Sequence, residues 1–309
     1  MRILLIGPTA VGKTATSLKL AKALNAEIIS ADSRQCYKYL DIGTAKPTPN
    51  DLDQVRHYNI SLFKPDHRDS AADFYKRAKR WEEDITSRGK NVMYVGGSTL
   101  HLQSIIHPFD DIPDSNEENL QMLEQQADEK GLETLYEKLE EVDPDYASKM
   151  DGLNRQRILR ALDVWMQTGK PFSSFHTQPD EIELPEHTWV IGLRRNRKIL
   201  YERINRRAEL MLKKGLIEEI RNILGMGYNK DIQALKTVGY RQGIDFVQGR
   251  ISFDTMVKDI KTKTRHYAKR QLTWFRRWNF VEWINVDGKR SNEIAEKIEQ
   301  YLAANKNKD

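Results

Sequence analysis

The chain has 309 residues, of which 31% are charged and 39% hydrophobic, and carries a net charge of +5. That balance excludes an intrinsically disordered chain, and the length suffices for a buried core. No apolar run approaches the roughly 18 residues needed to cross a bilayer, "MRILLIG" lacks the layout of a secretory leader, and the single cysteine, Cys36, excludes an internal disulfide. These features predict a cytoplasmic monomer without a membrane partner, and Cys36 reads as a small hydrophobe rather than a functional thiol.

The apolar run "RILLI" predicts a strand leading directly into "GPTAVGKT". The G-x-x-x-x-G-K-T spacing of Gly7, Pro8, Thr9, Ala10, Val11, Gly12, Lys13 and Thr14 is that of a phosphate-binding loop. Between strand and helix, such a turn offers backbone N–H groups at a positive helix end. Lys13 adds a point charge and Thr14 a hydroxyl for Mg²⁺. The motif alone does not name the ligand.

A helix is predicted from Thr14 to Leu24, with Leu18, Ala21 and Leu24 on one side, and "EIISAD" (27–32) reads as a second buried strand. Ser70, followed by Asp73, has the spacing of a capping box; Phe74, Ala78, Trp81 and Ile85 then mark a buried helix face that ends at Gly89. "NVMYV" reads as a third strand, running into "GGST". Alternating strands and helices predict an α/β fold with a parallel sheet and ligands at the carboxyl ends of its strands.

Beyond Asp110 the texture changes. Ser115 to Gly169 carries helical patterning without strand signal, broken at Gly131, Pro144 and Gly152, whereas "TWVIGL" (188–193) resumes as a strand. Long helices are predicted from Arg197 to Leu224 and from about Ser252 to Trp278, and the tail "AANKNKD" is expected to fray. The division expected is a core made of residues 1–110 and 186–309 and an all-helical insertion of residues 111–185. "DDIPD" (110–114) matches the D-D-x-x-D motif of isoprenoid chain synthases, but Pro113 disfavours the helix that motif requires, so a solvated turn is expected.

The phosphate loop fits a kinase or NTPase, yet the third strand ends in Gly96-Gly97-Ser98 without the acid that organises a metal in such proteins. The acid is Asp32, at the end of the second strand, where a general base acting on an acceptor is one reading and a cap or metal-shell residue another. From Lys261 to Trp278 seven Lys/Arg and no acid are interleaved with aromatics, a composition suited to phosphate contacts and base stacking, or to a solvated helix face. A small-molecule or nucleoside kinase would leave that segment unexplained, and a non-catalytic RNA-binding module would leave the phosphate loop without a task.

Taken together, "GPTAVGKT", "DSRQCYKYLDIGTAKPT" (32–48), "VGGSTLH" (95–101), "QRILRALDVWMQTGK" (156–170), "RINRRAELML" (203–212), "KTVGYRQ" (236–242) and "AKRQLTWFR" (268–276) resemble the tRNA dimethylallyltransferases, or tRNA isopentenyltransferases, the MiaA family in bacteria. The matches come in family order and span nearly the whole chain; the bacterial form, without a C-terminal zinc-finger extension of the eukaryotic kind, is expected. The resemblance implies a P-loop NTPase-like parallel sheet flanked by helices, with an all-helical insertion. It implies that the phosphate loop binds the diphosphate of dimethylallyl diphosphate with Mg²⁺, and that the dimethylallyl group passes to the exocyclic amine of the adenosine 3′ of a tRNA anticodon.

By position, the resemblance makes Asp32 the base, places Ser98 (where the family usually has threonine) toward the diphosphate or acceptor, and makes Arg207 a diphosphate contact. It points to the tRNA anticodon stem-loop for Asp32, Ser33, Arg34, Gln35 and Ser98. The same holds for Gln156, Arg157, Ile158, Leu159 and Arg160, for Lys236, Thr237, Val238, Gly239, Tyr240 and Arg241, and for Lys269, Arg270, Gln271, Trp274 and Arg276. Gln156, Arg160 and Asp163 share a helical face that is expected to be free for RNA. His101 stands where the family usually has tyrosine and reads as a packing substitution. Leu120 stands where an arginine that touches RNA would align.

Overall fold

The computed structural model describes residues 1–107, 110, 112–176 and 183–305. Strand β1 (Arg2–Ile6) is buried from Ile3 onward. Helix α1 (Lys13–Ala23) follows the phosphate loop, and β2 (Ala26–Ala31) is buried throughout. Pro49 opens α2 (Pro49–Gln54) behind a Thr48–Asp51 capping box, and β3 (His57–Tyr58) is two residues long. Ser70 and Asp73 form the predicted capping box of α3 (Ala71–Ser87), which leads to β4 (Asn91–Gly96) and α4 (Thr99–Ile106).

Helices α5 (Glu117–Lys130), α6 (Leu132–Val142), α7 (Pro144–Ser148) and α8 (Arg155–Thr168) come next, and then β5 (Thr188–Arg194). The chain continues through α9 (Arg197–Lys213), α10 (Leu216–Gly225), α11 (Tyr240–Val247), α12 (Phe253–Phe275), β6 (Glu282–Asn285) and α13 (Ser291–Asn305). It divides into two compact units, Met1–His107 with Glu183–Asp309, and Pro108–Ile182.

The first unit is built on a six-stranded sheet of order β3-β2-β4-β1-β5-β6 in which every pair is parallel. This is a P-loop NTPase-like α/β fold, and helices cover the sheet as parallel strands buried on both faces require. On one side α1 and α13 pack together through Leu18, Leu20, Ala21, Ile294, Ile298 and Leu302. A second cluster joins Tyr37 and Leu40 to α10, α11 and α12 through Ile217, Ile220, Tyr240, Ile244, Met256 and Ile260. Cys36 lies in that cluster with no exposed surface, and burial raises its thiol pKa to about 12, so it packs as a hydrophobe.

The second unit buries Leu123, Leu135, Leu139, Ile158, Leu162 and Phe172 between α5, α6 and α8. The face of α8 expected to be free is in use. Asp163 is fully buried; its carboxylate pairs with Arg160 at 2.7 Å and accepts from Gln167 Nε2 at 2.9 Å and Asn119 Nδ2 at 3.3 Å. Arg160 also donates to the Pro113 carbonyl and Gln167 to that of Asp114. The stretch read as a solvated turn is therefore a loop fastened to α8, half-buried at Ile112 and Pro113; Asp111 lies outside the described residues.

One other expectation is corrected. The helix predicted over 197–224 is interrupted at Gly215, whose φ of +97° lies in the left-handed region, and a new helix begins at Leu216. Of the tail expected to fray, residues 303–305 continue the last helix and residues 306–309 lie outside those described.

Candidate active site

The carboxyl ends of four adjacent strands converge, with the phosphate loop after β1, Asp32 after β2, Gly97 after β4 and Arg195 after β5. Glycine is needed where they meet. A Cβ on Gly7, at φ +142°, would lie 2.7 Å from the Leu193 carbonyl oxygen, and one on Gly96 would lie 2.0 Å from that of Ala31. Gly12 stands at the cap position of α1 without a side-chain hydrogen bond, and the first turn holds no acid, so the helix presents its first N–H groups outward.

The loop's carbonyls are engaged by side chains. Lys13 Nζ donates to Gly7 and Pro8 at 2.8 and 3.0 Å, Arg203 Nε to Ala10 at 2.9 Å, and Arg195 Nε to Val11 at 3.0 Å. Gln271, from α12, accepts from the Thr9 N–H at 2.9 Å and donates to the Gly97 carbonyl at 2.8 Å. With carbonyls turned outward and engaged, what remains toward the cavity is the anion-binding side of the loop.

That cavity measures about 1130 Å³, above the usual range for a small-molecule pocket. Its wall includes Thr9, Ala10, Gly12, Lys13 and Thr14 of the loop, Asp32 to Gln35, Gly43 to Ala45, Arg203, Arg206 and Arg207. Burial, with Arg207 nearby, lowers the Lys13 pKa to about 7, against the opposing pull of Asp32. Burial likewise depresses Arg207, and Asp32 partly offsets this. Two cations and one carboxylate thus share a desolvated wall that gains from an arriving anion. Asp32 Oδ1 accepts from the Arg34 N–H at 2.9 Å, which fixes the carboxylate at the rim of its own turn.

The family model described as IPP transferase matches residues 35–278. A tRNA dimethylallyltransferase of a Thermoanaerobacter species is 43% identical over 99% of this chain and 98% of its own length. One of Thermotoga maritima is 39% identical over 99% of each. The solved tRNA isopentenylpyrophosphate transferase of Bacillus halodurans superposes with a TM-score of 0.72 at 35% identity, over 98% of this chain and 95% of that one. The chain belongs to the IPP transferase family.

Among the residues that the family resemblance singled out, the cavity gathers Ser33, Arg34, Gln35, Lys236, Thr237, Val238, Gly239, Arg241, Arg270 and Gln271 with Asp32 and Arg207. Gln35 is partly committed, because Ser30 Oγ donates to it at 2.9 Å. Ser98 caps α4 beside Gly97 but is not part of the wall. Gly7 and Pro8 serve through their carbonyls, and Val11 is buried in the core.

Of the residues singled out for RNA, some are engaged within the protein and others are exposed. Tyr240 is fully buried, its hydroxyl donating to Glu219 at 2.6 Å. Ile158 and Leu159 belong to the core of the helical unit. Arg160 is tied to Asp163, while Gln156 and Arg157 are exposed. On α12 and just beyond, Lys269 and Arg276 are exposed; Trp274 is half-buried with Arg277 over its ring at 5.1 Å; and Gln271 is 3% exposed and engaged with the loop.

The sequence reading missed Arg195, Arg203 and Glu219. Arginines following a strand end and lying one turn ahead of Arg207 could have been suspected. Glu219 accepts from the N–H groups of Asp41, Ile42 and Gly43 at 2.9, 2.7 and 3.1 Å, and nothing in its helical surroundings announces that.

For Mg²⁺ the donor set fits. Thr14 and Asp32 are hard oxygen donors on one wall, and no cluster of three acids, histidines or cysteines occurs among the described residues. Mg²⁺ usually keeps several waters and takes only one or two protein oxygens beside the substrate's own phosphates. Among the described residues no helix is long and apolar enough to cross a membrane.

Proposed function

We propose that this chain transfers a dimethylallyl group from dimethylallyl diphosphate to the exocyclic N6 amine of the adenosine 3′ of the anticodon in tRNA, releasing diphosphate. The observation that carries the reading is the shared cavity: an anion-binding loop, Lys13, Arg207 and a single carboxylate, Asp32, face one space large enough for a diphosphate and a purine together. The names of the relatives, tRNA dimethylallyltransferases, support both substrates. The reading extends to a monomer working in the cytoplasm.

In this reaction N6 attacks C1 of the dimethylallyl group, the C1–O bond to diphosphate breaks, and the N6 proton passes to the Asp32 carboxylate. Five buried carbons contribute at most about 4 kcal/mol to donor binding at roughly 0.8 each, so the diphosphate contacts supply most of it. Loop amides, Lys13 and Arg207 stabilise the charge that collects on the departing group. Thr14 would hold Mg²⁺, which when bound neutralises part of the diphosphate charge. The adenine amine is a weak nucleophile, and a positioned base contributes about 10²–10⁴ in rate.

Beside the loop, Lys236, Arg241, Lys263 and Arg270 line the mouth of the cavity and would meet RNA phosphates, as a base turned out of its stack enters between them. The test is mass spectrometry of nucleosides from unmodified tRNA incubated with the protein, Mg²⁺ and dimethylallyl diphosphate. N6-dimethylallyladenosine is expected; ATP turnover without prenyl transfer would instead favour a kinase.

A further inference from the structure

We propose that Gln271 is a positioning residue for the leaving-group site, fixing the phosphate loop from α12, and is not a contact for RNA. The inference rests on the reading that the loop receives the donor's diphosphate. Gln271 belongs to the basic helix segment and its neighbours in sequence, Arg270 and Lys269, are exposed, but its own amide is buried. Each end of that amide engages backbone, Oε1 the N–H of Thr9 and Nε2 the carbonyl of Gly97, and the side chain, which borders the cavity, also hydrogen-bonds the Tyr267 hydroxyl. A primary amide accepts at one end and donates at the other whatever the pH. A carboxylate at this position would turn lone pairs onto the Gly97 carbonyl, and an alkyl group would leave both backbone groups unpaired.

The surroundings are shaped to this side chain. A Cβ on Gly97 would lie 2.3 Å from Gln271 Nε2, so glycine there leaves the space that the amide occupies. The loop it holds is not relaxed: Ala10 sits at φ +63° and depends on surrounding contacts to stay there. Arg203 and Arg195 fix the carbonyls of Ala10 and Val11, and Gln271 fixes the preceding N–H, that of Thr9. Without it the loop's first half loses its only side-chain anchor from α12 among the described residues. The amides facing the cavity then lose their common aim, and the cost falls on diphosphate binding.

The experiment measures binding of inorganic pyrophosphate with Mg²⁺ by calorimetry, binding of an anticodon stem-loop RNA, and steady-state kinetics for the wild-type protein, Gln271→Leu and Gln271→Glu. Gln271→Leu is expected to weaken pyrophosphate and raise the donor KM at least tenfold, while RNA affinity stays within twofold. Gln271→Glu should be at least as severe. Gly97→Ala, which displaces the amide without altering α12, should reproduce the pattern and serves if the Gln271→Leu variant does not fold. Unchanged pyrophosphate binding in the variants, or a loss of RNA affinity with an unchanged donor KM, would overturn the proposal. A wild-type protein that fails to bind pyrophosphate would overturn the functional reading itself, and this inference with it.

Discussion

The ring of Tyr240 occupies the space that a side chain on Gly43 would need: a Cβ there would lie 2.5 Å from Cε2 and 2.8 Å from the hydroxyl oxygen. Glu219 ties the two segments together, accepting the Tyr240 hydroxyl and the Gly43 N–H on the same oxygen. The turn that contributes Gly43, Thr44 and Ala45 to the cavity is thus set by an aromatic core residue. Gly43→Ala should destabilise the protein by about 1–3 kcal/mol, the usual cost of overpacking. Urea denaturation measures this, and Tyr240→Leu should cost less when combined with Gly43→Ala than when made alone. Additive costs would show that the two positions do not meet.

Asp32 serves two ends, the cavity and the turn at Arg34. Asp32→Asn keeps an oxygen to accept the Arg34 N–H and removes the base. Turnover should fall by about 10² or more while RNA affinity and thermal stability stay near wild type. Single-turnover kinetics beside an RNA binding curve separates the outcomes: lost affinity with intact chemistry would make Asp32 a recognition residue.

Lys13, with a pKa of about 7 in the free protein, should bind a proton when an anion arrives, since a phosphate alongside favours the ammonium. Above pH 7 binding is then coupled to proton uptake, so pyrophosphate affinity should decline as pH rises, by up to about tenfold per pH unit. Calorimetry in buffers of different ionisation enthalpy reads the uptake directly. Lys13→Met, which carries no titrating group, should show a smaller uptake and a flatter profile, corrected for the titration of pyrophosphate itself.

His101 stacks on Phe74 with ring centroids 4.3 Å apart and planes 6° apart, and its buried Nδ1 has no hydrogen-bond partner. Burial, with Arg77 and Arg34 nearby, lowers its pKa from 6.5 to about 3. Between those values the unfolded chain binds a proton that the folded chain refuses. Stability is therefore full above pH 6.5 and should fall, as pH drops toward 3, by up to about 1.4 kcal/mol per unit. His101→Phe keeps the stack and should remove that part of the acid sensitivity, as followed by denaturation at pH 7 and pH 5.

The sheet's centre and the loop were readable because hydrophobic runs, glycines and caps act over a few residues: β1, β2, β4, β5 and the Ser70 cap fall where the pattern put them. β3, two residues long, and β6, four, are too short to carry periodicity. The break at Gly215 was masked by helix-forming neighbours on both sides. The polar residues were the least legible. Asp163, Arg160, Gln271 and Tyr240 look like surface or RNA-facing groups along a helix, and only tertiary packing shows that each satisfies a buried partner. Cavity-facing cations such as Arg207 were legible through the family motif, whereas Arg195 and Arg203, which grip backbone, were not.

The order in which the chain is made bears on when it becomes competent. β1 emerges first, yet one of its two neighbours is β5 at Thr188–Arg194, and the side chains that clasp the loop come from Arg195, Arg203 and Gln271. A nascent fragment that ends before residue 271 carries the whole phosphate motif without its brace. At roughly 5–20 residues per second on the ribosome, the first half waits many seconds with a bare β-edge, so the clasp on the loop is completed only as translation nears its end.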